Sequence, residues 1–295
     1  MTPVAPESAK DADAALFAHI RGGIRIGALF RKPVVDPVDL RILLEYALGI
    51  SHVQLVIQSE RELGEKEAHI VLELLMRRYR GEPVAHIVGE REFYGLPFSI
   101  TPDVLIPRPE TELLVELAIS RLPENGVLLD LGTGSGAIAV AVAHERPDVS
   151  VTATDVSPAA LDVAKENARR NLAAGRDIRF YQGEWFAALP APFRFDLIVS
   201  NPPYIVVGDV HLSAGDLRYE PQGALTDFGD GLSAFRELTA HAVGWLNPNG
   251  WLLMEHGYDQ AEAVRKRLLA NGFASVQSFK DLAGIERVSG GVFPG

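Results

Sequence analysis

The stretch Ser200-Asn201-Pro202-Pro203-Tyr204-Ile205 closes an apolar run, Phe195 to Val199, that reads as a buried strand. Two successive prolines donate no backbone hydrogen bonds and fix φ, so the strand stops and the chain leaves it stiff and extended. Asn201 therefore stands on a rigid mount with one acceptor oxygen and two donors, and the Pro202 carbonyl adds a second acceptor. Two converging acceptors suit an NH2 group, while Pro203 and Tyr204 continue the wall, Tyr204 with a flat ring for a planar amide or base. Holding both N–H bonds draws the nitrogen lone pair out of conjugation and aims it for in-line methyl transfer, an arrangement of no use to hydride transfer.

A second constellation lies upstream in DLGTGSGAIAV, Asp130 to Val140. Gly132, Thr133, Gly134, Ser135 and Gly136 form a tight turn that lets backbone approach a ligand, and the following helix presents its first amides to it. The same residues satisfy the dinucleotide fingerprint through Ala137, so the loop alone leaves NAD and S-adenosylmethionine open. Asp155, closing the next strand, can accept two ribose hydroxyls, common to both ligands; a helix cap before Ser157-Pro158 is its structural alternative. In GEWF, Glu184 can accept from an adenine amino group and Trp185 can cover its face.

These residues need a frame, and the periodicity supplies one. From Gly126, strand-like runs alternate with helical ones: VLLDL, VSVTATD, IRFYQ, FDLIVS, GWLLMEH, VQSFK and VSGGVF are the strands. Such alternation predicts an α/β fold, a mostly parallel sheet with helices on both faces, whose ligand crevice lies at the carboxyl ends of the strands. Upstream, from about Ala12 to Tyr79, apolar residues recur at helical spacing, as at Leu40, Leu43, Leu44 and Ala47 and at Ile70, Leu74, Leu75 and Tyr79, which predicts a small helical bundle. His86 to Pro107 turns extended around Gly95 and Pro97, as in a hairpin. The expected division is 1–85 for the bundle, 86–107 for a linking β-hairpin and 108–295 for the α/β domain.

Composition narrows the chemistry. The 295 residues contain no cysteine, which excludes disulfides, thiolate metal sites and cysteine nucleophiles. The net charge of −11, concentrated after residue 85, disfavours sequence-independent binding to a phosphate backbone. Arg77, Arg78 and Arg80 form one tight basic cluster, read as the solvated end of a helix. No targeting or membrane-spanning stretch stands out, so a cytoplasmic protein is expected, with no metal. Glu110, Glu112 and Glu255 are available carboxylates, but read as helix-terminal or strand-end charges rather than catalysts.

The combination of IPRPETELL at 106–114, DLGTGSGAIA at 130–139, Asp155, GEWF, SNPPYI, Glu220-Pro221, Leu225, Asp230-Gly231-Leu232, EHGYDQ at 255–260 and DLAGIERV at 281–288 resembles the HemK/PrmC family of protein-(glutamine-N5) methyltransferases. The resemblance covers nearly the whole chain and is weakest over the first 85 residues. It implies a class I, Rossmann-like methyltransferase domain with a seven-stranded sheet and S-adenosylmethionine as donor. The implied substrate is the glutamine of the Gly-Gly-Gln loop of peptide chain release factors, held by Asn201, Pro202 and Tyr204. The nearest alternative is a nucleic-acid amino methyltransferase, since adenine N6 or guanine N2 offers the same planar NH2; the acidic charge argues against it. A non-catalytic nucleoside-binding module is the more distant one.

Overall fold

A computed structural model describes residues 17–190, 193–213 and 215–295. The chain forms two compact units, the first ending at Val88 and the second beginning at Gly89. The part of the helical expectation on residues 12–16 lies outside the described residues.

The first unit is helical: Ile26–Arg31, Pro37–Leu48, His52–Ile57, Glu65–Tyr79 and Val84–Val88. Local chemistry sets these bounds. Asp36 caps the second helix by accepting from the Val38 amide at 2.8 Å, Pro37 opens it, and Gly49 ends it in a left-handed conformation. Leu40, Leu43 and Leu44 are buried as expected. In Glu65–Tyr79 the buried stripe is Ala68, Val71, Leu74 and Leu75, whereas Ile70 and Tyr79 are exposed. Both spacings are helical, and only packing chooses the face; Tyr79 instead meets Phe17 edge-on at 5.4 Å. The basic cluster is engaged rather than simply solvated, with Arg77 paired to Glu82 and Arg78 to Asp39.

The hairpin is shorter than expected. Residues 86–88 complete the helix Val84–Val88, whose start follows Pro83, and the strands are β1 (Glu90–Phe93) and β2 (Leu96–Ser99). Tyr94 and Gly95 turn the chain with positive φ, and Phe93 and Phe98 bury the inner face.

The second unit is built on seven strands: β3 (Val127–Leu131), β4 (Ser150–Asp155), β5 (Arg179–Gln182), β6 (Phe195–Ser200), β7 (Leu246–Glu255), β8 (Ala274–Lys280) and β9 (Glu286–Val292). Their order is β5-β4-β3-β6-β7-β9-β8, with β9 antiparallel to both of its neighbours and the rest parallel. The central strands are almost continuously buried because helices cover both faces. The helix Ala137–Glu145 is itself buried from Ala137 through Ala143. Strand order reverses between β3 and β6, so the glycine loop after β3 and Asn201 after β6 share one crevice.

Candidate active site

The glycine loop is held by its own backbone. The amides of Gly132 and Thr133 both donate to the Thr154 carbonyl at 2.9 Å, and Gly136 donates to Thr133 at 2.8 Å. Gly132, Gly134 and Gly136 all have positive φ. At Gly132 a Cβ would stand 3.3 Å from the Trp185 ring, and at Gly136 one would meet Ala164 at 3.1 Å, so the first glycine admits the indole and the third the neighbouring helix Pro158–Asn171. Asp155 closes the loop. One carboxylate oxygen accepts from the Gly134 amide at 2.8 Å and the other from Ser157 at 2.9 Å. Ser157, not Asp155, caps the helix Pro158–Asn171. Burial raises the Asp155 pKa against these backbone bonds. Each oxygen retains a further lone-pair site.

A cavity of about 600 Å³ opens at this point, lined on one side by residues 132–135, Asp155, Glu184 and Trp185 and on the other by Thr111, Asn201 and Pro203. Its size suits a nucleoside-sized ligand. Trp185 reaches the glycine loop with φ of +46°. Gly136, Pro202 and Tyr204 are not part of the lining. Pro202 is buried, and the Tyr204 ring packs against the core under the sheet ends, so it is not the open flat wall expected. Burial pushes the Tyr204 phenol far above its ordinary range, with the Glu255 charge adding to the shift. The Tyr204 carbonyl is also committed. It accepts from Gln260 Nε2 at 3.0 Å, and the same amide reaches the Gly231 carbonyl at 3.2 Å while its oxygen takes the Gly257 amide at 2.9 Å.

Segment 105–111 forms the cavity's other edge. It is anchored by Glu220, whose side chain is fully buried. One oxygen accepts from the Ile106 amide at 2.9 Å and the other pairs with Arg108. This explains physically why IPRP and Glu220-Pro221 occur together in one sequence. Asp227 organises the remaining wall. Burial works against its charge, but bonds from Ser233, Gly231 and Gly229 outweigh burial and keep the pKa low.

Two carboxyls that sequence reasoning left aside prove exceptional. Asp130, entirely buried, accepts from the Thr133 hydroxyl at 2.7 Å through Oδ2, while among the described residues Oδ1 has no side-chain partner. Burial pushes it up to about 7. Glu255 is no exposed strand-end charge: it is 2% exposed, its Oε2 lacks a partner among the described residues, and burial pushes it up to about 7 against hydrogen bonding from Thr111 and Asn201. Asn201 Nδ2 donates to Thr111 Oγ1 at 3.2 Å. A carboxylate closing an apolar strand beside another strand's functional terminus is the one signal that sequence offered. Glu110 and Glu112 do begin helical turns, and Glu112 accepts from the Tyr94 amide at 3.0 Å. Among the described residues no cluster of metal-ligating side chains occurs.

Residues 109–217 match the model of the Methyltransferase small domain and residues 35–89 that of the PrmC N-terminal domain. The methyltransferase from Pyrococcus furiosus superposes with a TM-score of 0.52 at 22% identity, over 74% of this chain and 96% of that one. The hMettl16 catalytic domain, solved with an RNA hairpin, gives 0.55 at 16% identity over 77% and 80%. These two share the fold, that of class I S-adenosylmethionine-dependent methyltransferases. The Release factor glutamine methyltransferase of Burkholderia pseudomallei is 54% identical over 272 residues, 90% of this chain and 95% of its own. That of Neisseria gonorrhoeae is 51% identical over 87% and 93%. With half of all positions identical along nearly its full length, the chain belongs to the release factor glutamine methyltransferase family.

Proposed function

We propose that this protein methylates the side-chain amide nitrogen of the glutamine in the Gly-Gly-Gln loop of peptide chain release factors, with S-adenosylmethionine as donor. The main support is that Asn201 opens onto the same cavity as the glycine loop, in a chain 54% identical to a release factor glutamine methyltransferase. The residues present fit the donor: the missing Cβ at Gly132 leaves the indole of Trp185 against the loop, and Asp155 keeps acceptor capacity beside it. Residues 132–135 would approach the methionine portion, Asp155 the ribose, and Glu184 and Trp185 the adenine. When bound, S-adenosylmethionine supplies an electrophilic sulfonium methyl.

The chain's own work is positioning. Asn201 Oδ1 and the Pro202 carbonyl would accept the two amide protons of the substrate and aim its lone pair. Tyr204, packed against the core, holds its own segment in place rather than stacking on the substrate. Loss of a proton from the methylated nitrogen to water completes the reaction without a strong base, so acceptor electrostatics carry the rate.

Docking of the whole release factor falls to residues 1–85 in this reading, with the chemistry in 108–295 and residues 86–107 between them. Val53, Val56 and Ile57 on the helix His52–Ile57 are exposed and offer apolar contact. Among the described residues no helix is long and apolar enough to cross a membrane; we place the protein in the cytoplasm with its substrate. The test is incubation with S-adenosylmethionine and a release factor, followed by mass spectrometry of the product. A single methyl on the glutamine side chain, absent when that glutamine is alanine, is expected; methyl transfer to DNA or RNA in its place would overturn the proposal.

A further inference from the structure

Asn201 can serve a substrate NH2 group only if its oxygen, not its own NH2, faces the cavity. A carboxamide is nearly symmetric in shape, so packing alone does not choose between the two rotations; hydrogen bonding must. Asn201 Nδ2 donates to Thr111 Oγ1, and no described residue donates to Oδ1. Thr111 is 4% exposed on the cavity wall. Its hydroxyl has a single proton, and having accepted from Asn201 it must donate that proton elsewhere. Glu255, at the end of β7 beside the end of β6, is the acceptor within its reach, and hydrogen bonding from the Asn201 side chain reaches the same carboxyl.

We propose that Glu255, acting directly and through Thr111, is the positioning residue that fixes the Asn201 carboxamide with its oxygen toward the substrate amide. The inference rests on the reading of Asn201 as the substrate's acceptor. When Glu255 is ionised, the donors run one way, from Asn201 to Thr111 and from both to the carboxylate, and Oδ1 is left for the substrate. When Glu255 is protonated, its own O–H competes for the Thr111 oxygen and the hydroxyl proton turns toward Asn201. The carboxamide is then favoured in the reversed rotation, presenting donors to donors. The protonation state of one buried carboxyl thus sets the polarity of the substrate site.

Other charged groups surround this carboxyl. From the turn Pro109–Thr111, Glu110 raises its proton affinity; from β9, Arg287 lowers it; from the segment after β6, the Tyr204 phenol stays neutral. His256, next in the chain, spends its ring nitrogens on Ser289 and the Gly257 carbonyl. Burial dominates, holding the Glu255 carboxyl up to about 7, within the range where enzyme and release factor can both be assayed.

The decisive experiment measures kcat against pH with a full-length release factor as substrate, alongside S-adenosylmethionine affinity by calorimetry, for the parent, Glu255→Gln, Thr111→Val and Thr111→Ser. The parent should lose activity about tenfold per pH unit below an apparent pKa near 7. Glu255→Gln should abolish that acid limb and lower kcat by about 10²-fold, and Thr111→Val, which leaves only the direct contact, should shrink the limb and lower kcat by about tenfold, both with donor affinity unchanged. Thr111→Ser, which restores the hydroxyl, should recover both rate and limb. Should Glu255→Gln fail to fold, the two Thr111 variants decide alone. Parent-like kcat and pH profile in Thr111→Val would overturn the inference while leaving the proposed function intact, whereas parent-like turnover by Asn201→Ala would overturn the reading on which it rests.

Discussion

Glu220 joins two segments 114 residues apart, and cutting that join has a calculable cost. Glu220→Ala leaves the buried Ile106 amide without an acceptor, at about 1–3 kcal/mol. It also strands the Arg108 guanidinium. Breaking a buried ion pair costs about 3–5 kcal/mol when the remaining charge stays buried, but Arg108 is 32% exposed and can rehydrate. The two contributions overlap, because relaxation of segment 105–111 relieves both, so a total of about 3 kcal/mol is expected. Glu220→Gln keeps an oxygen for Ile106 and a weaker bond to Arg108, and should cost about 1 kcal/mol. Urea unfolding of parent and both variants at neutral pH measures the difference. Because Leu105, Pro107 and Arg108 line the cavity, donor affinity should fall along with stability in the alanine variant. A loss below about 1 kcal/mol for Glu220→Ala, or equal losses for the two variants, would refute the anchoring argument.

Asp155→Ala should weaken S-adenosylmethionine binding by about 1–3 kcal/mol, the scale of a lost charged hydrogen-bond partner, as read by calorimetry; unchanged affinity in a folded variant removes Asp155 from the donor site. Deleting residues through Val88 should preserve donor affinity and raise KM for an intact release factor, while equal turnover of that substrate would count against a docking role for the helical unit. Glu255 also makes a stability prediction. Its folded pKa of about 7 lies above the ordinary 4.5, so the native state binds the proton more tightly and loses stability as pH rises from about 4.5 to 7, then levels off. Relative to the parent, Glu255→Gln should therefore gain stability across that window by up to about 3 kcal/mol, and paired denaturation curves at pH 5 and pH 8 that show no such gain would contradict it.

Most of the catalytic frame was legible in the sequence because it follows from local pattern. The central strands β3 and β6 are apolar runs bounded by turn residues, and the glycine loop and Asn201 sit at strand ends that the topology must bring together. What escaped depends on distant partners. Glu255 ends an apolar run like any strand-end charge; its burial comes from β6 and β9 on either side and from the turn at Thr111. Glu220 likewise declares nothing until Ile106 and Arg108 are placed against it. Residues 86–88 carry β-branched and aromatic-ring side chains that suit a strand, yet they complete a helical turn after Pro83. Tyr204 follows two prolines in an exposed-looking loop, and only the packing of the second unit turns its ring inward.

The Gln260 side chain ties together the loops containing Tyr204, Gly231 and Gly257. A Cβ at Gly231 would lie 2.4 Å from the Tyr204 carbonyl oxygen, so two of these loops also touch backbone to backbone. The entropy of ordering the Asn201 side of the crevice is therefore spent when the chain folds, not when a glutamine arrives. Substrate recognition at this wall should accordingly bear the thermodynamic signature of a rigid receptor, with a heat-capacity change set by the apolar surface covered and no added increment from loop folding.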